Sequence, residues 1–363
     1  MMSSKIKFLM FAMTIVASMS WAVQTSAADE IKLTSVGPIA FGPDGLLLVS
    51  DPMEATIYAV ETGIKEGSTD GVKVELEEVR KKIASLLGAK PEEVRINDLA
   101  IHPVNGHPFL SISRGSGAEE ASMILTVDPS SNEITEFDLS NVTFTKTMLP
   151  NPADERKTRW GNMRMQAITD MAFIDNNVYV AGLSNEEFAS NLRTIPYPFA
   201  EADKGASIEI YHGAHGKFET RAPIRTFAAL HEKDEVNLLA AYTCTPLVRI
   251  PIVDLKPETK IRGTTVAELG NRNRPLDMVV YKKDDKNFAL MANSHRGVMK
   301  IDLQNVESQA AIVERVQDTA GVSYETVKEL TGVMQLDGLG ETQGVILVRD
   351  KDAKEHLKTI TLP

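Results

Sequence analysis

The chain has 363 residues, of which 43% are hydrophobic and 25% charged, and a formal net charge of -11. This composition excludes a disordered or fibrous chain, and the acidic balance argues against binding of nucleic acid through a broad electrostatic surface. The single cysteine, Cys244, excludes an intramolecular disulfide framework, a multi-thiolate zinc cluster and a c-type haem motif.

The first 28 residues have the composition of a secretory signal peptide. Lys5 and Lys7 precede an apolar run that is shorter than the roughly 20 residues needed to span a bilayer. Small residues follow, with cleavage expected after Ala27 or Ala28. The alternative is a buried helix at the terminus. We therefore expect a periplasmic or secreted protein without membrane insertion, with a single domain over residues 29–363.

Six copies of one strand pattern follow in chain order, beginning near residues 37, 97, 169, 224, 275 and 332. Each copy has an apolar strand, a turn of Pro, Asp, Asn or Gly, and a second apolar strand, after which a third strand follows. Short strands with turn residues between them predict all-β structure. Repeats of roughly 45 residues, each a four-stranded meander, predict a six-bladed β-propeller, with seven blades as the alternative.

The ends of the chain bear on how the ring closes. The last copy supplies three strands before the chain stops at Pro363, and residues 31–36 (IKLTSV) form one unassigned strand near the start. We expect this N-terminal strand to be the outer strand of the sixth blade, since a closed ring protects strand edges.

The repeat spacing and the segment GPIAFGPDGLLLVSD, residues 37–51, resemble the six-bladed propellers of the NHL/SMP-30-like superfamily. The resemblance covers the repeat frame of the whole chain after the signal peptide. It implies a lactonase-like, metal-dependent hydrolase as one possible activity. SMP-30-like lactonases place a metal-binding glutamate before the first Gly-Pro pair, whereas this chain has Val36 there.

Three longer segments interrupt the repeats, at residues 71–95, 141–166 and 185–205. In the first, Val79 and Ile83 have the spacing of a surface helix. The aromatic and proline residues of the third predict an ordered lid. All three are expected on the disc face that carries the turns between the second and third strands of each blade, around the channel mouth. Long loops in a compact domain are commonly functional.

We call this face the arginine face, because the sequence places several basic side chains on it. Arginine matches carboxylate and phosphate through its planar fork, which predicts a small polar or anionic ligand at the mouth. In the alternative, each arginine pairs with a neighbouring aspartate. The candidate ligand-binding residues are Arg114, Arg164, Arg272, Arg274, Arg296 and Asn185.

Asp98, Asp170 and Asp277 each precede apolar residues of an inner strand. Carboxylates that converge at a propeller centre could hold calcium or another hard divalent cation. In the alternative, each aspartate caps a turn by accepting backbone amides. A metal-dependent hydrolase or lyase would use these carboxylates, with His295 as the candidate catalytic acid or base.

A second candidate metal site pairs Cys244 with His295, which occupy corresponding turns of neighbouring blades. A thiolate and an imidazole are ligands of copper or zinc. The alternative is a free thiol and an ordinary polar histidine. His212 and His215 form an H-x-x-H pair, but we expect their hairpin on the opposite face and interpret them as turn residues.

These observations favour a monomeric protein that binds a small molecule at its channel mouth. The ligand-binding face could also be presented to another envelope protein. The alternatives are a metal-dependent hydrolase or lyase, and a protein-interaction scaffold. No serine nucleophile elbow, phosphate loop or dinucleotide fingerprint is present in the sequence.

Overall fold

The computed structural model of the chain describes residues 30–117, 120–159, 161–232 and 235–363. The expected signal peptide, residues 1–28, lies outside these ranges. Within them, no helix has the length and apolar character needed to cross a membrane.

In the described ranges, six β-sheets, antiparallel except for one strand pair in blade 3, stand around a central channel, which confirms the six-bladed propeller. We number the blades by the order in which their inner strands occur in the chain, and each set of strands runs from inner to outer. Blade 1 contains Ile39–Phe41, Leu46–Asp51, Thr56–Glu61 and Phe144–Met148. Blade 2 contains Val94–Ile101, Pro108–Arg114, Ala121–Asp128 and Glu133–Glu136. Blade 3 contains Asp170–Ile174, Asn177–Leu183, Ser190–Pro196, Ala206–His212 and Lys217–Glu219, with Lys260–Arg262 parallel to its fourth strand.

The remaining blades are completed by strands from distant parts of the chain. Blade 4 contains Ile224–Glu232, Glu235–Tyr242, Pro246–Pro251, Thr264–Leu269 and Thr319–Gly321. Blade 5 contains Pro275–Lys283, Lys286–Asn293, Gly297–Asp302 and Tyr324–Val327. Blade 6 contains Val333–Leu339, Gln343–Arg349, Glu355–Thr361 and Glu75–Leu76.

The expected helix is present as Val79–Leu86. Its Val79 and Ile83 are buried in the apolar cluster between blades 2 and 6, as their helical spacing predicts. A separate small hairpin pairs Lys157–Thr158 with Gly161–Asn162. The described short 3-10 turns are Pro43–Gly45, Pro91–Glu93, Met163–Gln166 and Ile252–Asp254.

The blades do not follow one another around the ring in chain order. The main-chain N–H of Ile39 in blade 1 donates to Asp98 of blade 2 at 2.8 Å. The N–H of Ile101 in blade 2 donates to Asp337 of blade 6. The inner strand of blade 1 also packs against that of blade 3. The order around the ring is therefore 1, 3, 4, 5, 6, 2, and an apolar cluster fills each interface between neighbours.

Closure of the ring by residues 31–36 is wrong. That segment is not a strand in the structure, and its Ile31 and Val36 pack into the apolar cluster between blades 1 and 2. The outer strand of blade 6 is Glu75–Leu76, in which Leu76 pairs with Leu357. The reason is the blade order: the chain leaves blade 1 after three strands and passes the edge of blade 6 before it enters blade 2.

All three expected insertions contain blade strands, and residues 71–95 supply the outer strand of blade 6 just described. Residues 141–166 supply the outer strand of blade 1, and residues 185–205 supply the third strand of blade 3, so the latter are not a lid. Local pattern concealed that third strand because its buried positions include Asn191 and Arg193, which are polar. The aromatic residues that follow it pack against the cluster between blades 1 and 3 instead of covering the channel.

Candidate functional site

A cavity of about 660 Å³ occupies the central channel and is lined by the inner strands of all six blades. Its wall contains four half-buried carboxylates, Asp98, Asp170, Asp277 and Asp337. We call them the aspartate ring. The cavity extends from this ring along the inner strands. In blade 3 its lining runs from Asp170 to Ile174, the end of the strand at the face opposite to the arginine face. The cavity therefore lies below the arginine face and not at the expected lid-covered mouth.

Each carboxylate of the aspartate ring joins two neighbouring blades. In Asp170, Oδ2 accepts the N–H of Phe227 from blade 4 at 2.7 Å, and Oδ1 accepts the N–H of Met171 at 2.8 Å. The other three repeat this arrangement, accepting across the blade interface from Ile39 (to Asp98), Leu336 (to Asp277) and Ile101 (to Asp337). These bonds hold the carboxylates in the cavity wall, and they match the capping role that the sequence left open as an alternative.

The electrostatics of the aspartate ring disfavour negative charge. Burial raises the pKa of Asp170 to about 7 and that of Asp337 to about 6. The pKa values of Asp98 and Asp277 lie well above the ordinary range, because of burial and because other ring carboxylates stand nearby. A positive charge or a set of hydrogen-bond donors in the cavity would stabilise the ionised ring.

The expected calcium site at Asp98, Asp170 and Asp277 stays a prediction. These residues line one cavity, but each comes from a different blade. In the described ranges, one group of three histidine, cysteine or carboxylate side chains has its metal-binding atoms within 4.8 Å of one another. That group is His212, His215 and Cys244, and it contains none of the aspartates.

Sequence reasoning missed Asp337, the fourth member of the ring. It lies in the middle of the inner strand of blade 6, whereas Asp170 begins its own strand. The available signal was the Asp337-Gly338 pair in an otherwise apolar inner strand, where a carboxylate must find backbone donors.

A buried histidine also lines the cavity. His102 Nδ1 accepts the N–H of Val104, so its Nε2 is placed to donate to Thr62 Oγ1 at 3.0 Å. Burial lowers the pKa of His102 to about 4. This histidine is therefore neutral at physiological pH and makes fixed hydrogen bonds within the protein.

The predicted arginine cluster stays a prediction, and the described contacts of its members are made with different parts of the protein. Arg114 donates to the carbonyl of Leu87 beside the helix, and Arg296 contacts Asp318 at 3.4 Å. Among the described residues, Arg296–Asp318 is the one ion pair between a predicted ligand-binding arginine and an aspartate. The other predicted residues lie on loops or turns: Arg164 donates to the carbonyls of Met53 and Ala153, the Asn185 N–H donates to Asn151, and Arg272 and Arg274 are exposed.

Arg225, which sequence reasoning missed, lies in the inner strand of blade 4. It occupies the bulge where the inner strand of blade 4 begins, and its guanidinium contacts Thr243 and Gln166. Burial and the neighbouring charge of Arg274 lower the pKa of Arg225 to about 10. The bulge turns this side chain away from the strand's regular alternation, so the sequence pattern alone did not reveal it.

Cys244 lies beside His212 and His215, and the group of donor atoms around it does not contain His295. Placing the two histidines on the opposite face was wrong. Because blade 3 has one more strand than expected, its fourth strand returns to the arginine face and ends there at His212. The His295 Nδ1 atom contacts Ser294, and its backbone N–H donates to Asn273.

The chain matches no protein-family model, and no curated protein sequence matches it. Among solved structures it is similar to a PQQ-bound aldose sugar dehydrogenase from Streptomyces coelicolor, with 13% identity, a TM-score of 0.39, and coverage of 93% of this chain and 96% of that one. It is also similar to a streptogramin B lyase, with 8% identity, a TM-score of 0.36, and coverage of 93% and 96%. Likeness at this level carries no argument about ligand or reaction.

Proposed function

We propose that this protein binds a small molecule that presents ammonium or hydroxyl groups to the aspartate ring. The observation that carries the proposal is the ring itself, four carboxylates in the wall of one cavity of about 660 Å³. That volume lies within the roughly 300–1,000 Å³ of typical small-molecule sites. The six inner strands supply a wall whose polar groups are held in place before the ligand arrives.

The four carboxylates of the cavity favour a cationic or hydroxyl-bearing ligand over an anionic one. The expected anionic ligand would meet four carboxylates that already disfavour one another's ionisation. A cation instead restores the ionised state of the ring, and hydroxyl groups donate to its oxygens. The acidic net charge of the protein also favours the approach of a cation over that of an anion.

A second candidate function, anion binding, is favoured by the proximity of Arg225 and Arg274 on the arginine face. Among the described residues neither guanidinium forms an ion pair with a carboxylate, so a bound carboxylate or phosphate would stabilise both. This site is separate from the cavity, because neither arginine contributes to the cavity lining.

The expectations from the sequence about location, metal-dependent hydrolysis and a scaffold role belong to the proposal as well. Binding would take place in the periplasm or outside the cell, after removal of residues 1–28. A lactonase-type hydrolase would require a metal among the ring carboxylates, and a scaffold role would leave the cavity without a ligand. The experiment below separates the scaffold role from small-molecule binding, because a scaffold would bind none of the three probes.

The test is isothermal titration of the full chain with three probes that differ in charge: putrescine, a dication, glucose, which is neutral, and gluconate, an anion. We expect putrescine or glucose to bind and gluconate not to bind at the aspartate ring. Asp277→Asn should weaken binding of putrescine by about tenfold, which corresponds to about 1.4 kcal/mol for one charge-assisted contact. The matched control is Asp285→Asn, since that side chain is 97% exposed at a turn of the same blade.

Binding of gluconate that depends on Arg225, with no binding of putrescine or glucose, would replace the proposal by the second candidate. Binding of putrescine that is equal in Asp277→Asn and in the control would refute a role for the ring. Thermal unfolding of each variant shows whether a loss of binding reflects a loss of the fold.

A further inference from the structure

We infer that His212, His215 and Cys244 form a zinc site on the arginine face, at the interface of blades 3 and 4. The histidines lie at the end of the fourth strand of blade 3 and in the hairpin that follows, and Cys244 lies in the second-to-third strand turn of blade 4. One donor atom from each residue lies within 4.8 Å of the other two. This site lies outside the central cavity and does not depend on the proposed function.

The hydrogen bonds of the two imidazoles leave the same nitrogen available on each ring. His212 Nδ1 contacts Glu219 Oε2 at 2.9 Å, and His215 Nδ1 contacts Glu219 Oε1 at 2.7 Å. One carboxylate therefore orients both rings, whose centroids are 3.9 Å apart. A carboxylate bound to the far nitrogen of a ligand histidine fixes the ring and makes it a better donor.

A buried atom without a partner lies among the three donor atoms of the proposed site. The His212 side chain is 3% exposed, and its Nε2 has no hydrogen-bond partner among the described residues. An unpaired buried nitrogen is costly, and a metal ion would satisfy it. Glu268 Oε2, from the outer part of blade 4, is likewise buried without a partner, while its Oε1 accepts the N–H of Gly213 in the histidine hairpin.

The turn that carries the thiol is held firmly. Cys244 has φ 67° and Thr245 φ 56°, both in the left-handed region. The Cys244 N–H donates to the Asn273 carbonyl at 2.7 Å, and Thr245 Oγ1 donates to the Gly270 carbonyl at 2.6 Å. The Sγ atom is thereby directed from a fixed backbone, so little entropy is lost on ligation.

The donor set favours zinc or copper over calcium and magnesium. Two imidazoles and one thiolate suit zinc or copper, and calcium and magnesium prefer oxygen ligands. Around tetrahedral zinc, nitrogen and sulfur ligands lie about 3.5 Å apart, so a contraction of roughly 1 Å would close the site. Three protein ligands leave a fourth position, and the half-exposed His215 gives water access to it.

The test uses the full chain, stripped of metal and then titrated with Co2+ and Zn2+. We expect one ion per chain, a thiolate-to-cobalt absorption band, and displacement of cobalt by one equivalent of zinc. Cys244→Ser should remove the thiolate band, and His215→Ala should weaken zinc binding more than the roughly 10–100-fold expected for Glu219→Gln. His295→Ala is the matched control and should bind zinc as the parent protein does.

Folding of each variant is checked by circular dichroism, and His215→Ala is preferred to His212→Ala because its side chain is half-exposed. Absence of stoichiometric cobalt and zinc binding by the parent protein would overturn the inference. So would unchanged zinc affinity in both Cys244→Ser and His215→Ala. Purified protein that carries stoichiometric copper and no zinc would overturn the choice of metal.

Discussion

The main-chain N–H of Ile101 donates to Asp337 Oδ2 at 2.7 Å, and this bond joins the second blade of the chain to the last. Asp98 makes the same kind of bond to Ile39, which joins the second blade to the first. Blade 2 thus lies between the blades built from the two ends of the described chain. The aspartate ring consequently serves both as the frame of the channel and as the polar wall of its cavity.

Removal of Asp337 should destabilise the ring. Asp337→Ala leaves the N–H groups of Ile101 and Gly338 without their acceptor, at a cost of about 1–3 kcal/mol in the free energy of unfolding. Urea unfolding measures this cost. The exposed Asp285→Ala should stay within about 0.5 kcal/mol of the parent protein. Equal stability of the two variants would contradict the structural role of the ring.

Ring closure by Glu75–Leu76 predicts that Leu76 is important for stability. Leu76 is 1% exposed between blades 6 and 2, so Leu76→Ala should cost about 2–5 kcal/mol. Leu33→Ala, in the segment that the sequence assigned to closure, should cost less because Leu33 is only partly buried. Chemical denaturation compares the two variants, and a larger cost at Leu33 would restore the N-terminal closure.

The raised pKa of Asp170 predicts a loss of stability as pH rises. The folded chain keeps a proton that the unfolded chain releases, so this contribution is fully present below pH 3.8 and is lost as pH rises through about 7. Asp170→Asn should flatten the decline in unfolding free energy between pH 5 and 8 by about 1–2 kcal/mol, since channel water screens part of the effect. Asp285→Asn should keep the parent slope, and an unchanged slope in Asp170→Asn would be inconsistent with the shift.

Substitution of two glycines that both have left-handed backbone angles distinguishes the cost of backbone strain from the cost of steric overlap. Gly45 has φ 74°, and a Cβ there would overlap the imidazole of His102 in the cavity wall. Gly88 has φ 60°, and a Cβ there meets open space. Gly88→Ala should cost about 1 kcal/mol, and Gly45→Ala about 3 kcal/mol, because overpacking adds to the strain. Thermal unfolding of both variants tests this, and equal costs would show that His102 moves aside freely.

The repeats were predictable because each inner strand is a short apolar run that ends at a turn. The strands beginning at Asp170 and Pro275 match their sequence patterns, and so does the helix Val79–Leu86. Three of the four ring carboxylates were also identified, because a charged residue beside an apolar inner strand stands out. The alternative capping role of these residues is the one that their hydrogen bonds display.

The order of the blades could not be read from the sequence. Nothing local in Phe144–Met148 indicates that it pairs with Thr56–Glu61, nearly a hundred residues earlier. An outermost strand pairs with a neighbour on one side only, so fewer of its residues are buried. Its alternation of apolar and polar residues is therefore weak. The partly polar third strand of blade 3 was missed for a similar reason, and that error moved His212 to the wrong face.

A crystal structure of the full chain grown with putrescine would show directly whether the aspartate ring binds a cation. We expect the diamine in the central cavity, with an ammonium nitrogen within about 3 Å of a carboxylate oxygen of the aspartate ring. Binding of the diamine outside the cavity would contradict cation binding at the aspartate ring. So would a second crystal, grown with gluconate, in which gluconate occupies the cavity.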